Sequence, residues 1–553
     1  MTLQLEYNEN FPQESVSPTE TNKWAAFVLL FSVCLIATCA IIYELIIAAV
    51  SSYLLGNSVY QFSVTIGLFM SSMGLGSYLS RYFSRCLVNR FILIEIAIAL
   101  IGGISSAALF NTYIFYESAA VYFVVMFILI TSIGTLVGLE IPILTRIIGQ
   151  YDSDSLRVTL SNVLAFDYIG ALIGSVIFPL ILLKYTGLVQ SAFIVSLLNV
   201  SVAGLLIFQY WKSVEGRYLL IFATVLTSGS LAVAAMYSTD IDNWLESKLY
   251  RDHVQLSKQS RYQKIVLTKR DGQKDLLSAD ETIVEPSGLE VTNRRKDLRL
   301  FIDGNLQFSS VDEYRYHEAL VHPAMNLADK RANVLILGGG DGLAAREVLR
   351  YPEVKRIVLI DIDPEITKVC SSYPEIVELN QGSLLNAKVT VINQDAYKFV
   401  EWGYNNQKFD VVIIDLPDPN HESLSKLYSV TFYRLIGNIL NAKGVIVTQS
   451  TSPFFSRDAF WCIHHTIEEA ELYTYAYHLD IPSMGDWGFN LSAKTSHEIK
   501  KIRLSVETNF LTNSLIQAMF QFGKDVNELE TKINTLLKPV LMFYYEDKNW
   551  RYY

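Results

Sequence analysis

Four carboxylates sit where chemistry is done in an open α/β sheet. Asp341 lies inside the glycine turn Gly338-Gly339-Gly340-Asp341-Gly342, and Asp361 ends the apolar run Ile357-Val358-Leu359-Ile360. Asp415 ends Val411-Val412-Ile413-Ile414, and Asp418 follows it between Pro417 and Pro419. A glycine turn after a strand lets backbone approach a ligand closely. An acid about 20 residues on, at the end of the next strand, is placed to accept hydrogen bonds from ribose hydroxyls. Together they imply an adenosine-type ligand. Asp341 separates this turn from a dinucleotide fingerprint. A carboxylate there opposes a pyrophosphate, and equally the carboxylate of a methionine moiety, and favours a cation. The pocket is therefore expected to take a nucleoside with a positive arm. The alternative use of Asp341 is to cap the helix that follows. The strand end at Asp415 and the two-proline loop at Asp418 set two carboxylates at the carboxyl edge of the sheet, where ligands of such sheets bind.

These residues need a parallel sheet behind them. Val334–Leu337 and Ile357–Ile360 flank the glycine turn and a helix-like segment, which makes one βαβ unit. Val389–Asn393, leading into Asp395-Ala396, then Asp410–Ile414 and Gly444–Ser450 read as further strands. Residues 321–495 thus read as an α/β Rossmann-like domain. Ahead of it, residues 238–320 read as a linker and a small β-strand subdomain. There Tyr262–Leu267 and Leu298–Ile302 are strands, Asp303-Gly304-Asn305 is a turn signal, and the charged interval 269–297 is a surface loop. Residues 496–553 carry apolar residues at helical spacing and read as a helical extension without chemistry.

The first half is of another kind. Hydrophobic residues make up 51% of the 553 and charged ones only 18%. A soluble chain is nearer a quarter charged, so part of this one is expected in lipid. Residues 1–23 are polar and read as a disordered tail rather than a signal peptide. Seven apolar segments follow, near 24–50, 60–80, 91–110, 119–144, 162–183, 188–210 and 217–237, each able to span ~30 Å of hydrocarbon. The result is a polytopic α-helical membrane domain over 24–237. Arg81, Arg85, Arg90, Arg146, Arg157, Lys212 and Arg217 follow alternate segments, which places the N-terminus in the cytoplasm. Seven spans then put the α/β domain outside, away from an adenosyl co-substrate. The expected resolution is a count off by one: the first segment folds as two elements, or another span is re-entrant. Glu44, Glu95, Glu140 and Asp167 lie within the spans. They read either as a path or pocket for a cationic solute or, more plainly, as Glu44 and Glu95 near span ends and reaching water, with Asp167 beginning its helix. The five cysteines have no paired spacing and there is no His/Cys cluster, so neither a disulfide framework nor a metal site is expected. A net charge of −10 argues against nucleic acid as a partner.

Taken together and in order, several pieces resemble the spermidine synthase family of polyamine aminopropyltransferases, in its multi-spanning bacterial form. They are Tyr262-Gln263, Asp303-Gly304 with Gln307, the run Asp312-Glu313-Tyr314-Arg315-Tyr316-His317-Glu318, Gly338–Gly342, Asp361-Ile362-Asp363, Asp395-Ala396 and Asp415-Leu416-Pro417-Asp418-Pro419. The resemblance implies transfer of an aminopropyl group from decarboxylated S-adenosylmethionine, a co-substrate rather than a bound cofactor, to an amine such as putrescine. The products are then spermidine and methylthioadenosine. It implies Asp415 as the base and Asp418 as a seat for the diamine. His317 and Asp341, with Tyr316, are implied at the aminopropyl and amine groups. Gln263 is implied at the nucleoside, Asp361 at the ribose, and Asp395 with Ala396 at the adenine. A homo-oligomer, a lipid bilayer around the first half and a cytoplasmic catalytic domain are implied as well. The chemistry fits: a free primary amine, with a pKa of ~10.4, arrives protonated, and a carboxylate must take its proton. The segment Ile481–Phe489 lacks the tyrosine that many members place there for the amine, and Trp487 or Asp486 is the expected substitute. A transporter or sensor that binds polyamine without turnover is the competing class. A methyltransferase using intact S-adenosylmethionine is disfavoured by Asp341.

Overall fold

The structure, a computed structural model, describes residues 23–56, 58–116, 118–151, 156–270, 296–402, 407–420 and 422–545. The polar tail expected over 1–23 falls, but for Lys23, outside the described residues, as does the 271–295 part of the charged interval. The chain forms two compact units, residues 1–54 with 59–245, and residues 55–58 with 246–553.

Seven helices among the described residues of the first unit are long and apolar enough to cross a membrane: Phe27–Leu55, Ser58–Tyr82, Leu87–Tyr116, Ala119–Ile148, Leu160–Tyr185, Gly187–Gln209 and Arg217–Met236. The first does not fold as two elements. Lys23–Leu55 is one helix of 33 residues, because no glycine or proline interrupts it. In the fifth, Pro179 lacks an N–H for the ladder. The helix absorbs it in a π stretch, Phe178–Leu182, and continues. Small residues let neighbours meet backbone to backbone. A Cβ on Gly76 would lie 2.0 Å from the Thr135 carbonyl oxygen, and one on Gly138 would lie 2.1 Å from that of Met73. Glu44, Glu95 and Glu140 do not reach water, at 4%, 0% and 2% exposure. Glu95 Oε2 accepts from Asn199 Nδ2 at 2.9 Å. Asp167 is half-buried.

The second unit begins with an antiparallel sheet of β1 (His253–Gln259), β2 (Lys264–Arg270), β3 (Asp297–Ile302) and β4 (Asn305–Ser309), in that order. The turn from β3 to β4 is the expected Asp303-Gly304, with φ of +47° and +82°. The larger sheet contains β5 (Asn333–Gly338), β6 (Arg356–Asp361), β7 (Val389–Asn393), β8 (Phe409–Asp415), β9 (Leu440–Gln449), β10 (Tyr473–Ile481) and β11 (Gly485–Ala493). Its order is β10-β11-β9-β8-β5-β6-β7. Strands β5 to β9 run parallel, and β10 and β11 add an antiparallel edge. Both faces are covered, so Val334–Leu337 and Val411–Ile414 are buried throughout, as unbroken apolar runs require. From β5 the chain goes to β6 on one side and later to β8 on the other. That reversal opens a crevice at the carboxyl ends of β5 and β8.

The stretch after 495 is not the helical extension its spacing suggests. Among its described residues the α-helices are the short Asn513–Met519 and Leu541–Tyr545. The rest runs across the unit as irregular chain pinned by side chains. Glu318 accepts the backbone N–H of Asn509, Phe510 and Leu511 at 2.5 to 3.0 Å. Its apolar residues are buried singly, Leu511, Ile516 and Leu541 among them, rather than as one helix face.

Candidate active site

The crevice begins with Gly338. At φ +84° it takes a conformation that L side chains rarely adopt. A Cβ there would lie 1.9 Å from the Asp415 carbonyl oxygen. Gly338 pairs with Asp415 across β5 and β8, and Gly339 donates its N–H to the Asp415 carbonyl at 3.0 Å. The glycine turn and the carboxylate of β8 are thus adjacent because the strands are. Asp341 serves two ends. Its Oδ1 accepts the Leu343 N–H at 2.8 Å, a local cap, while Oδ2 faces His317 Nε2 at 4.0 Å.

His317 comes from the helix Glu313–Leu327, with Tyr316 beside it. Tyr316 donates its hydroxyl to Asp415 Oδ1 at 2.7 Å. One helical turn back, Glu313 Oε2 lies 2.9 Å from His317 Nδ1. Burial opposes a charge on His317, but the bond to Glu313 and the Asp341 carboxylate outweigh it and raise its pKa to about 9. Burial opposes a charge on Glu313, but the His317 hydrogen bond and charge, and then Arg346 at 2.7 and 2.9 Å from the other side, hold it ionised. His317, Asp341 and Asp415 each offer an atom within 4.8 Å of the others, a spacing that could hold a metal ion. With the imidazole protonated, both of its nitrogens are donors. In that state the trio is suited to charge-assisted hydrogen bonds.

Asp415 and Asp418 are half-buried. Burial, then the Asp341 charge, raises Asp415 to about 6, and burial raises Asp418 to about 6. Both are mostly ionised at neutral pH and both can accept a proton. The loop between them is fixed by residues that sequence reasoning passed over. Gln449, at the end of β9, donates to the Leu416 carbonyl at 2.7 Å and to Asp418 Oδ1 at 3.1 Å. Tyr428 donates to the Leu416 and Pro417 carbonyls at 3.2 and 3.0 Å. Tyr545, from the last described helix, donates to Asp418 Oδ2 at 2.9 Å. Gln449 was findable as the polar end of an apolar strand next to β8; Tyr545 carried no local signal.

On the other side of the glycine turn, Asp361 accepts the N–H of Gly340 at 3.1 Å and of Asp363 at 2.8 Å. Burial, with Asp363 and Asp341 nearby, raises it to about 7. A Cβ on Gly340 would lie 2.4 Å from Asp361 Oδ2, so only glycine permits this approach. Asp395 is further along, where β7 gives way to the helix Ala396–Trp402. Its Oδ2 pairs with Lys426 Nζ at 2.9 Å, a partner the sequence did not announce. Ala396 is buried at the start of that helix. Gln263 precedes β2, half-buried, and its backbone N–H goes to Ser260 Oγ at 3.0 Å. No hydrogen bond among the described residues joins Gln263 to the acids. Asp486, a suggested substitute for the missing tyrosine, is committed to His478 Nδ1 at 2.6 Å.

The arrangement is therefore a line of acids along one sheet edge, Asp361, Asp341, Asp415 and Asp418, with one cationic imidazole among them. It can hold a neutral polyol at one end and positive groups at the other. Comparison with known proteins agrees. Residues 313–504 match the family described as the spermine/spermidine synthase domain. A polyamine aminopropyltransferase of Oceanobacillus iheyensis is 39% identical over 532 residues, 95% of this chain and 98% of the relative. One of Leptospira interrogans is 39% identical over 94% of this chain and 98% of the relative. One of Mycobacterium tuberculosis is 33% identical over 94% of this chain and 95% of the relative. On that likeness, which runs through both units, this chain belongs to the polyamine aminopropyltransferase family and is an aminopropyltransferase.

Proposed function

We propose that the enzyme transfers the aminopropyl group of decarboxylated S-adenosylmethionine to putrescine, with Asp415 as the base. The family's co-substrate carries a sulfonium and a cationic amine and no carboxylate. Asp361 receives the ribose hydroxyls and Asp395 with Ala396 borders the adenine, with Gln263 on the nucleoside from the side of the small sheet. Asp341, with His317 beside it, receives the aminopropyl ammonium. Asp418 seats one ammonium of the diamine, and Asp415 faces the other. Asp415 takes a proton from that ammonium. The freed nitrogen lone pair attacks the methylene carbon bonded to sulfur, the C–S bond breaks, and its electrons stay on sulfur as neutral methylthioadenosine. The leaving group needs no acid, so most of the catalysis is positioning.

The observation that carries this reading is the joint position of Asp341, His317 and Asp415, within 4.8 Å of one another, with Tyr316 aimed at Asp415. The seven apolar helices among the described residues support a further reading, that the first unit lies in the cell membrane; the cytoplasmic placement of the catalytic unit rests on its adenosyl co-substrate and not on the helix count. A homo-oligomer is part of the same family-based reading. The test is to incubate the purified full-length protein with decarboxylated S-adenosylmethionine and a panel of amines. Methylthioadenosine and spermidine should appear with putrescine. Methylthioadenosine with another amine only would correct the acceptor, and none with any amine would defeat the reading.

A further inference from the structure

The helix Leu541–Tyr545 is seated, not draped. Leu541 is fully buried in the core around Tyr428 and Tyr433. Before it, Asn534 donates its side-chain amide to the Ser425 and Tyr428 carbonyls at 2.9 and 3.0 Å. Ser456 Oγ donates to the Tyr544 carbonyl at 3.4 Å. This anchoring fixes where Tyr545 points, and it points at Asp418, 2.9 Å away. The two Asp418 oxygens are thereby divided, Oδ1 to Gln449 and Oδ2 to Tyr545. A phenol oxygen that donates its proton can also accept from an ammonium. In the hairpin β10–β11, by contrast, Tyr477 donates to the Ala319 carbonyl at 2.8 Å, the Tyr475 hydroxyl accepts the His497 N–H at 2.8 Å, and Asp486 is tied to His478.

We propose that Tyr545 is a specificity-determining residue of the amine subsite, delivered by the C-terminal segment. With Asp418 and Gln449 it holds the distal ammonium of an α,ω-diamine, and its position sets how long that diamine can be. The inference rests on the proposed assignment of Asp418 to the acceptor amine. It gives the segment after residue 495 a part in substrate choice that its sequence does not show.

The test uses the full-length enzyme with Tyr545→Phe and Tyr545→Ala, assayed by methylthioadenosine release with 1,3-diaminopropane, putrescine and cadaverine. Loss of one hydrogen bond to a charged group should raise the putrescine KM of Tyr545→Phe roughly tenfold. Its kcat and its KM for decarboxylated S-adenosylmethionine should stay within about threefold of wild type. Tyr545→Ala, which opens space, should shift the preference toward cadaverine. Unchanged diamine KM and unchanged length preference in both variants would overturn the inference alone. So would parallel loss of affinity for both substrates with a lowered melting temperature, the mark of a structural role. Wild-type enzyme that turns over no amine at all would overturn both this inference and the function it rests on.

Discussion

His317 carries its charge because Glu313 does. In the sequence the two are only residues four apart in a helical stretch, a spacing that allows contact. The structure adds Arg346, whose guanidinium joins His317 in holding Glu313 ionised against its burial. The pH profile of kcat/KM should therefore be bell-shaped. Activity falls below about 6 as Asp415 and Asp418 take up protons, and falls above about 9 as His317 loses its own. Glu313→Gln removes the main support of the imidazolium and should move the alkaline limb down by a unit or more while leaving the acid limb in place. A second consequence concerns stability. The folded pKa of Asp415 and of Asp418 lies above the ordinary carboxylate value, so the native state binds the extra protons. Stability from these groups is thus lost as pH rises from about 4 through about 6. A bound dication offsets that loss. Putrescine should raise the melting temperature at pH 8 and have little effect at pH 5, read by calorimetry.

At the scale of elements, the site exists because β5 and β8 are neighbours that end together. Gly338 is the point of closest approach. Gly338→Ala should cost about 3 kcal/mol or more, since it combines a strained φ with a backbone clash. Urea unfolding of the variant measures it, and a change under 1 kcal/mol would mean that the two strands part easily. This much was legible beforehand. Apolar runs ending in acids, with a glycine turn between, specify parallel strands and the edge they share. Asp361 and Asp415 were placed on that edge as the ends of apolar runs, Asp341 by the glycine turn and Asp418 by the two-proline loop. Gln449 left a trace, as the polar end of an apolar strand, but the contributions of Tyr428, Lys426 and Tyr545 were not legible, because none sits in a motif and Tyr545 acts on a residue 127 positions away. The stretch after 495 misled for a related reason. Its apolar residues mimic helical spacing, but each answers to a different part of the core.

At the scale of the whole molecule, two sets of facts compete. Among the described residues seven helices are long and apolar enough to cross a membrane, the first of them unbroken, so splitting it does not resolve the parity. Arginines between the second and third helices favour the cytoplasm for that loop, and an adenosyl co-substrate favours it for the catalytic unit. Five helices separate the two, so both conditions hold only if one of the five does not cross. On this basis an impermeant maleimide should fail to label exposed Cys86 in intact cells, and protease should spare the catalytic unit until the membrane is opened. Labelling of Cys86 with a protected catalytic unit would instead mean seven crossings.

The central claim is that Asp415 removes a proton from the attacking amine. Its most direct test is the single-turnover release of methylthioadenosine by wild type and Asp415→Asn at pH 8, with both substrates saturating. A fall of at least ~100-fold is expected, with methylthioadenosine binding unchanged. A rate within threefold of wild type would contradict the claim.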